Sequence, residues 1–352
     1  MLLSKDTLKK NICAVGGRSG GHIIPCISYI TEKKRSDPSI DKTILFYSST
    51  DLTTSLVIKS PIINYPVPIT VEPIPYRKWY LFPWWSVKFC FAFFKSFFTL
   101  LRLQPEEVMS SGGIESIPVC LAAGILQIPI VVLELNAVPG KAILFMSRFI
   151  PQINICFEET AKYFPRNKTV ITSYPIRFSP DELKTPITTA LSYYNLSLNK
   201  KTIVVLGGSQ GSFSLNRIAA ESMIELSHHY KNIQVIHQIG NDDFGTYKQL
   251  YLTSGIEGTI VTFEQHAHYL YSSADVIIAR AGAGTLFEIA AFSKNACIIP
   301  LETTTTDHQK DNAQAFVEAH LETFAMFAQK DLKKNRQPLI NTLMQMLEIK
   351  NT

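Results

Sequence analysis

The feature of this sequence that most constrains its fold is a buried strand, a glycine-rich loop and a helix, in that order, near the start of each half. In the first half, residues 11–15 (NICAV) run into residues 16–21 (GGRSGG), and in the second half residues 201–206 (KTIVVL) run into residues 207–212 (GGSQGS). Such a unit opens a doubly wound α/β sheet. Its repetition predicts two similar α/β domains that face each other across a cleft.

A third glycine-rich corner, residues 280–288 (RAGAGTLFE), follows a predicted buried strand at residues 275–279 and leads into an apolar helix. Glycines let the backbone approach a ligand, and the helix start directs free N–H groups toward it, usually toward a phosphate. Glu288 lies about one turn into that helix, so its carboxylate can accept hydrogen bonds from ribose hydroxyls. The corner therefore predicts a nucleotide site. The alternative is a tight turn whose glycines serve packing only.

Length and residue pattern divide the chain into two domains and a final helix. The chain has 352 residues, 46% of them hydrophobic and 18% charged, which is typical of globular proteins with more than one domain. We predict a first domain over residues 1–178 and a second over residues 201–334. The stretch between them, residues 179–200, contains prolines and has no firm period, which indicates a linker. Residues 335–352 are predicted to form a C-terminal helix. Packing across either domain is left open, with packing back on the first domain as the named alternative.

Residues 79–103 (WYLFPWWSVKFCFAFFKSFFTLLRL) are apolar and aromatic enough to suggest a membrane span, but basic residues interrupt them. Lys88, Lys95 and Arg102 are seven positions apart, which places them on one face of a helix. A helix with a cationic stripe and an aromatic remainder is typical of a membrane interface. The side chains expected to enter the interface are Trp79, Phe82, Trp84, Trp85, Phe89 and Phe93. The alternative is a packed domain helix whose lysines form its solvated face.

Several classes of protein are disfavoured by missing patterns. Six scattered cysteines without C-x-x-C spacing indicate reduced thiols in the core rather than zinc or disulfides. No Walker, G-x-G-x-x-G, H-E-x-x-H or G-x-S-x-G pattern occurs, which argues against nucleotide hydrolysis, dinucleotide binding, zinc proteolysis and serine hydrolysis. The first fifteen residues lack the apolar run of a secretory signal, so a cytoplasmic location is expected. A net charge of +5 favours an anionic surface or substrate, and no nucleic-acid partner is expected.

Polar residues recur where predicted strands end, which is where open α/β sheets bind ligands. His22 begins a helix directly after the first glycine loop, and the positive end of that helix favours a neutral imidazole, which suits a general base. The alternative is a solvated histidine at a helix start. The other residues at such positions are Ser19, Asn136, Arg177, Ser209, Gln210, Thr285, Glu288 and residues 307–312 (DHQKDN).

Six motifs in order make the chain resemble a known family: GRSGGHIIP (17–25), ELN (134–136), GGSQGSFSLN (207–216), HQIG (237–240), RAGAGTLFE (280–288) and DHQKDNA (307–313). The chain is similar over nearly its whole length to the MurG family of N-acetylglucosaminyltransferases, which convert lipid I to lipid II in peptidoglycan synthesis. The resemblance implies the GT-B fold, two Rossmann-like doubly wound domains facing across a cleft. It implies a peripheral enzyme at the cytoplasmic face of the plasma membrane, with UDP-N-acetylglucosamine and a polyprenyl-linked acceptor as partners and without a metal or cofactor.

The resemblance also implies roles for single residues. Ser209 and Gln210 would contact the diphosphate and Glu288 the ribose. Thr285 would lie near the phosphates, Arg177 near the nucleotide, and Gln309 would hold sugar hydroxyls. The donor site would be closed from the first domain by Ser19, Gly20, Gly21 and Asn136. His22 would take the proton from the acceptor's 4-hydroxyl as UDP leaves.

Five positions depart from the family pattern. Arg18 replaces the second glycine of the first loop, and Leu133 and Leu135 stand where the family usually has His and Gln. Tyr174 replaces an asparagine, and Gly284 replaces a leucine. These departures affect the expected acceptor contacts more than the donor contacts. Two other functions remain open from the residues. One is another lipid-acceptor transferase of the same fold, such as a diacylglycerol glycosyltransferase or a lipid A disaccharide synthase. The other is an inactive nucleotide-sugar-binding scaffold at the membrane.

Overall fold

Each half of the chain folds around one parallel β-sheet. The computed structural model describes residues 9–75, 78–207, 211–301 and 308–348. Its internal contacts separate two compact units, Met1–Arg177 and Phe178–Thr352. The doubly wound architecture predicted for both halves is confirmed within each unit.

The first unit has a seven-stranded sheet. Its strands are β1 (Lys10–Gly16), β2 (Ile40–Ser48), β3 (Tyr65–Ile69), β4 (Val108–Ser110), β5 (Ile130–Glu134), β6 (Ile153–Ile155) and β7 (Thr169–Ile171). All neighbouring strands are parallel, in the order β3-β2-β1-β4-β5-β6-β7. Its helices are α1 (Gly20–Ser36), α2 (Asp51–Ile58), α3 (Phe82–Leu103), α4 (Ser116–Ile125) and α5 (Lys141–Met146), with 3-10 helices at Trp79–Leu81 and Glu158–Tyr163.

The second unit has a six-stranded sheet. Its helices are α6 (Pro180–Leu183), α7 (Ile187–Tyr193), α8 (Phe213–His229), α9 (Phe244–Thr253), α10 (Ala267–Ser273), α11 (Ala283–Ala291), α12 (His308–Ala319), α13 (Gln329–Leu332) and α14 (Gln337–Glu348). Its strands are β8 (Lys201–Leu206), β9 (Ile233–Gln238), β10 (Glu257–Val261), β11 (Val276–Ala279), β12 (Asn295–Ile298) and β13 (Phe324–Met326). They are parallel in the order β10-β9-β8-β11-β12-β13.

The direction of winding reverses once in each sheet, between β1 and β4 in the first and between β8 and β11 in the second. Loops that follow the two strands on either side of such a point diverge to opposite faces, and the crevice between them is where open α/β sheets bind ligands. Both glycine loops and the corner at residues 280–282 follow strands at these points. The topology therefore assigns one candidate binding edge to each unit.

The stretch predicted as a linker, residues 179–200, differs from that prediction because it forms two short helices within the second unit. Ser179 and Glu182 cap α6 reciprocally: the Glu182 backbone N–H donates to the Ser179 hydroxyl at 3.3 Å, and the Ser179 N–H donates to the Glu182 carboxylate at 2.7 Å. Helix α7 packs on α10 of the same unit. Helices of four and seven residues are too short to show a period in the sequence.

The C-terminal helix follows one of the two alternatives left open for it. The described part of α14 packs against α8 and against β11 and β12 of the second unit. Five of its side chains are buried in that unit's core: Leu339, Ile340, Leu343, Met346 and Leu347. Its amphipathic pattern specified an apolar face, but a pattern does not identify the surface that the face covers.

Helix α3 is the predicted interfacial helix, but the side chains that it buries and exposes differ in part from the prediction. Ala92, Ser96, Leu100 and Leu103 are buried, and the helix packs against α4. Phe93, predicted to enter the membrane, packs instead against the core of the first unit. Trp85 stacks between Phe82 and Phe89 with ring centroids 5.5 and 5.2 Å apart, and its indole N–H donates to the Glu72 carbonyl at 2.8 Å.

The exposed side of α3 carries an apolar stripe that shares Trp84 with the predicted set: Trp84, Val87, Phe91, Phe94, Phe98 and Leu101. These residues are spaced by three and four positions, so they form one continuous line along the helix. Phe82, also predicted, is exposed at the start of the helix. Two of the predicted basic residues are held by the domain: Lys88 pairs with Glu72 at 2.5 Å, and Lys95 donates to the Pro68 carbonyl at 2.6 Å. Arg102 is exposed, and the side chain of Trp79 lies outside the described residues.

Across the ranges that the structure describes, no helix combines the length and the apolar character that crossing a bilayer requires.

Candidate active site

His22 lies at the reversal point of the first sheet, where the loop after β1 meets the end of β4. It is the third residue of α1, and its Nδ1 lies 2.8 Å from the carbonyl oxygen of Ser111. A carbonyl can only accept, so Nδ1 carries the proton, and a neutral imidazole then has its lone pair on Nε2. Half-buried and oriented by the backbone, His22 has the tautomer that a general base of this geometry needs.

The two loops at this point approach each other so closely that side chains are excluded. Gly113 has φ +87°, and a Cβ there would lie 2.8 Å from the Cα of Gly17. A Cβ on Gly17 would lie 3.3 Å from the His22 ring. Glycine is therefore required at residue 113 both by its left-handed backbone and by the approach of the other loop. The packed loops fix the imidazole between them.

Arg18, which departs from the family pattern, ties the first loop to the rest of the unit. Its Nε donates to Glu115 at 2.9 Å, and its Nη2 donates to the Val71 carbonyl at 2.5 Å. Glu115 is only 1% exposed, whereas the Arg18 side chain is about half exposed. The substitution thus places a cation in the loop and gives a buried carboxylate its partner.

Asn136 follows β5 on the same edge of the first sheet. Its backbone N–H and its Nδ2 donate to Glu134 Oε1 at 2.9 and 3.2 Å. The other residues predicted to close the site from this unit lie at or near its surface: Ser19 and Gly21 are exposed, and Gly20 begins α1. Arg177 is exposed as the last residue of the unit.

The second glycine loop follows β8. Gly211 has φ +75°, and a Cβ on it would collide with the Ile239 carbonyl at the end of β9. Its left-handed backbone and this contact together require glycine. Ser209 and Gln210, predicted to contact the diphosphate, lie outside the described residues.

A polar network lies beneath this loop. Asn216 of α8 donates through Nδ2 to the Ile239 carbonyl and to Asp242, at 2.9 and 3.0 Å. Its Oδ1 must then accept, so His237 Nε2 donates to it at 3.3 Å, and His237 Nδ1 accepts from the Tyr251 hydroxyl at 2.8 Å. Burial lowers the pKa of His237 to about 3, so the ring stays neutral. A Cβ on Gly207 would lie 3.0 Å from Asn216 Oδ1, which places the network directly against the loop.

Arg280 opens the corner after β11 and connects it to the second glycine loop. Its Nε and Nη2 donate to the hydroxyl of Ser212, the residue before α8, at 3.1 and 2.6 Å. Its other described bonds reach the carbonyls of Ile299 and Pro300 and the Gln329 side chain. Arg280 is 5% exposed, so a buried guanidinium holds the two loops of this reversal point together.

The predicted donor residues after this corner lie on two helices. Glu288 is buried on α11, and its Oε2 accepts from the Tyr271 hydroxyl at 2.7 Å. Thr285 is half-buried one turn earlier, with its hydroxyl facing Gly282. Gln309 is the second residue of α12, and its Oε1 accepts from the backbone N–H of Leu301, after β12, at 3.0 Å. The structure thus places Thr285 and Glu288 together on one helix, with Gln309 on the next.

The remaining departures from the family pattern are mostly in the core. Leu133, Leu135 and Tyr174 are buried, so they contribute packing at positions where the family usually has polar groups. Gly284 lies in the first turn of α11, beside Thr285. Within the described ranges, no cluster of three histidine, cysteine, aspartate or glutamate side chains could hold a metal ion.

Sequence reasoning did not assign roles to three supporting residues: Glu134, Asn216 and His237. All three belong to motifs that support the family resemblance. The sequence signal for each was a polar side chain within a largely apolar strand or helix. Such a side chain becomes buried on folding, and a buried polar group must have a partner. The identity of that partner depends on residues distant in the sequence.

Two domain families match the two halves of the chain. Residues 12–155 match the N-terminal domain of glycosyltransferase family 28, and residues 202–352 match its C-terminal domain. Curated relatives named UDP-N-acetylglucosamine--N-acetylmuramyl-(pentapeptide) pyrophosphoryl-undecaprenol N-acetylglucosamine transferase are similar over most of the chain. The protein of Flavobacterium psychrophilum is 31% identical over 86% of this chain and 80% of its own length. That of Bdellovibrio bacteriovorus is 30% identical over 94% and 88%.

Solved structures support the fold. MurG of Acinetobacter baumannii superposes with a TM-score of 0.72 at 24% identity, covering 96% of this chain and 92% of that one. A UDP-GlcNAc 2-epimerase from Neisseria meningitidis, bound to UDP-GlcNAc, gives a TM-score of 0.63 at 13% identity, covering 96% and 93%. The predicted GT-B class is confirmed by these matches and by the two parallel sheets. The chain is a glycosyltransferase of family 28 and belongs to the MurG family.

Proposed function

We propose that this chain transfers N-acetylglucosamine from UDP-N-acetylglucosamine to the 4-hydroxyl of the N-acetylmuramoyl group of lipid I, with inversion at the anomeric carbon, giving lipid II. The observation that carries the proposal is that each sheet has a glycine-rich loop and a helix start at its reversal point. The curated relatives, whose name gives UDP-N-acetylglucosamine and N-acetylmuramyl-(pentapeptide) pyrophosphoryl-undecaprenol as the substrates of an N-acetylglucosamine transferase, support the substrate assignment.

The second unit binds the donor. The starts of α8 and α11 offer free N–H groups and positive dipole ends, which stabilise the negative charge that develops on departing UDP. Glu288 accepts from the ribose hydroxyls, and Gln309 holds the sugar hydroxyls. Because Tyr271 donates to one oxygen of Glu288, the carboxylate is oriented before the nucleotide arrives.

The first unit binds the acceptor and supplies the base. The acceptor's 4-hydroxyl oxygen forms a bond to the anomeric carbon while the bond from that carbon to the UDP oxygen breaks. UDP leaves with the bonding electrons, and the hydroxyl proton passes to Nε2 of His22. The Ser111 carbonyl, which accepts from Nδ1, stabilises the imidazolium that forms.

Turnover with defined acceptors tests this function. The full chain is incubated with UDP-N-acetylglucosamine and a lipid I analogue, and the disaccharide linkage of the product is determined. We expect a β-linked disaccharide and no product from an acceptor that lacks the 4-hydroxyl. Transfer to diacylglycerol but not to the lipid I analogue would assign the chain to another lipid-acceptor transferase, and donor binding without turnover would identify a scaffold.

We propose that the exposed stripe of α3 binds the first unit to the cytoplasmic surface of the plasma membrane. An acceptor with a polyprenyl tail stays in the bilayer, so the enzyme must reach the lipid–water boundary. Trp84, Phe91 and Phe98 would enter the interface, while Arg102 meets anionic head groups. Large apolar side chains in one continuous exposed line support this role, because such patches are otherwise a liability in water.

Vesicle binding tests the membrane role. Replacing Phe91, Phe94 and Phe98 together with serine should release the protein from phosphatidylglycerol vesicles. The matched control replaces Ile58 and Ile125, two exposed apolar residues of the same unit, and should leave binding intact. Activity on a short-chain, water-soluble acceptor should survive the triple substitution. If vesicle binding persists, α3 is only a packed helix of the domain.

A further inference from the structure

Glu134 is the one polar residue of the ELN motif that has no role in the proposed reaction. It ends β5, two strands from β1, and only 2% of it is exposed. Carboxylates are rarely buried unless their oxygens are satisfied. Its position and burial therefore raise the question of what the carboxylate does.

The carboxylate closes the loop that carries Asn136. Oε1 accepts from the backbone N–H and the Nδ2 of Asn136, at 2.9 and 3.2 Å, and Oε2 accepts from the backbone N–H of Gly140 at 2.8 Å. The Thr160 hydroxyl holds the same loop from the other side, at 3.0 Å from the Asn136 carbonyl and 3.1 Å from the Ala137 carbonyl. The side-chain amide of Asn136 is thus oriented directly by Glu134.

We propose that Glu134 is a positioning residue that fixes the Asn136 side chain for the transfer reaction without touching either substrate. The inference rests on the proposed function, in which Asn136 closes the site from the first unit. A carboxylate suits this task because three N–H groups converge on its two oxygens. A glutamine would present one oxygen and one NH₂ group. That NH₂ group would face an N–H donor and could not accept a hydrogen bond from it.

The groups around Glu134 make its charge state sensitive to pH. Burial raises the pKa of Glu134 to about 7, against the opposing effect of the N–H bonds from Asn136 and Gly140. The Cys156 thiol faces it from the segment after β6, and burial followed by the charge of Glu134 raises the pKa of that thiol to about 12. At the start of α5, Lys141 is exposed, and the 3-10 helix contributes the neutral hydroxyl of Thr160 to the loop.

The experiment is a double-mutant cycle between Glu134→Gln and Asn136→Ala in the full chain, read as kcat/KM on the lipid I analogue. Each single change should lower kcat/KM by about ten- to a hundred-fold, since small misplacements of positioning groups cost this much. The double variant should be only about two- to three-fold worse than the poorer single one, because the effects of residues acting through one another do not add. The dissociation constant for UDP should stay unchanged.

Two further readouts separate positioning from general stability. Below about pH 6 the wild-type carboxyl is protonated and resembles the amide, so the ratio of wild-type to Glu134→Gln kcat/KM should approach one and should rise as pH passes about 7. The matched control is Glu107→Gln, which removes a carboxylate bound to Tyr29 and Lys33 just before β4. It should lower the melting temperature and leave kcat/KM unchanged.

Independent, fully additive losses in the cycle would overturn the proposal, and so would a pH-independent ratio. If Asn136→Ala leaves turnover intact, then both the closing role of Asn136 and the inference fail. If the wild type does not glycosylate lipid I at all, the proposed function fails first. Should Glu134→Gln not fold, Thr160→Val loosens the same loop from the other side. It should lower kcat/KM with unchanged UDP binding, and full activity of that variant would overturn the proposal.

Discussion

The reversal points of the two sheets carry similar glycine loops but hold them with different chemistry. In the first unit, charged side chains do so: Arg18 pairs with the buried Glu115, and Glu134 closes the neighbouring loop. In the second unit, the glycine loop rests on the amide of Asn216 and the neutral ring of His237, and Arg280, whose guanidinium stays charged, holds the loop through Ser212. The fold therefore specifies where a loop lies, whereas the residues beneath it decide whether its geometry depends on pH.

The difference matches the task of each unit. The donor brings its own diphosphate charge, and near neutral pH the groups that support the second loop keep one charge state: the His237 ring is neutral and the Arg280 guanidinium is charged. In the proposed reaction the first unit handles proton transfer, and its support includes a carboxyl whose pKa lies near 7. The supporting group that changes charge near pH 7 thus belongs to the first reversal point.

The largest effect should come from His22→Ala, which would remove the proposed base from the first unit. We expect kcat to fall by about 10² to 10⁴-fold, as is typical when a general base is lost. The KM for the donor should change little, because His22 acts on the acceptor hydroxyl in the transition state. Steady-state kinetics with varied donor measure both. A fall in kcat of less than about five-fold would assign the base to another group and break the comparison.

The matching change in the second unit is Glu288→Gln, which keeps the shape and removes the charge. A charge-assisted hydrogen bond contributes roughly 1.5–3 kcal/mol, so the KM for the donor should rise about ten-fold or more. The control is Tyr271→Phe, which removes the hydroxyl that orients Glu288 and should have a smaller effect. If Glu288→Gln leaves the KM for the donor unchanged, its carboxylate serves only to bind Tyr271.

The two units should also respond to pH with opposite sign. The pKa of Glu134 is raised in the folded state, so the fold binds more protons than the unfolded chain between about pH 4.5 and 7, and that contribution to stability falls as pH rises through this window. The pKa of His237 is lowered from 6.5 to about 3, so its contribution is lost as pH falls below about 6.5. Each slope is roughly 1.4 kcal/mol per pH unit for one proton.

Hydrogen exchange on the full chain can follow both slopes. Protection of β5 amides, compared between wild type and Glu134→Gln, should reveal the first slope, and protection of β9 amides, compared with His237→Gln, should reveal the second. Each substitution should abolish the slope of its own unit only. If both slopes have the same sign, the contrast between the titrating carboxyl of the first unit and the neutral ring of the second is wrong.

The smallest effect is expected from Arg18→Gly, which restores the glycine usual in the family. It removes the partner of Glu115, but Arg18 is half exposed, so we expect a loss of only about 1 kcal/mol in the free energy of unfolding. Urea denaturation measures the change. Adding Glu115→Gln should recover part of the loss. If it instead destabilises further, the carboxylate has a role apart from Arg18.

The sequence alone determined the elements that depend on local pattern. Buried strands such as residues 201–206 are continuous apolar runs, and glycine loops directly after them mark strand-to-helix turns, so the doubly wound class could be predicted. Motif order identified the family and named His22, Glu288 and Gln309. These signals are readable because each depends on neighbours within a few positions.

Tertiary structure decided what depends on residues distant in the sequence. The helical period of α3 could not reveal that Phe93 packs inward while Phe91 and Phe98 stay exposed, because that depends on where α4 lies. The amphipathic face of α14 did not identify the core it covers. Glu134 and His237 became interpretable only when folding brought donors to a buried carboxylate and partners to a buried ring, since the energy of a buried polar group is set by what surrounds it.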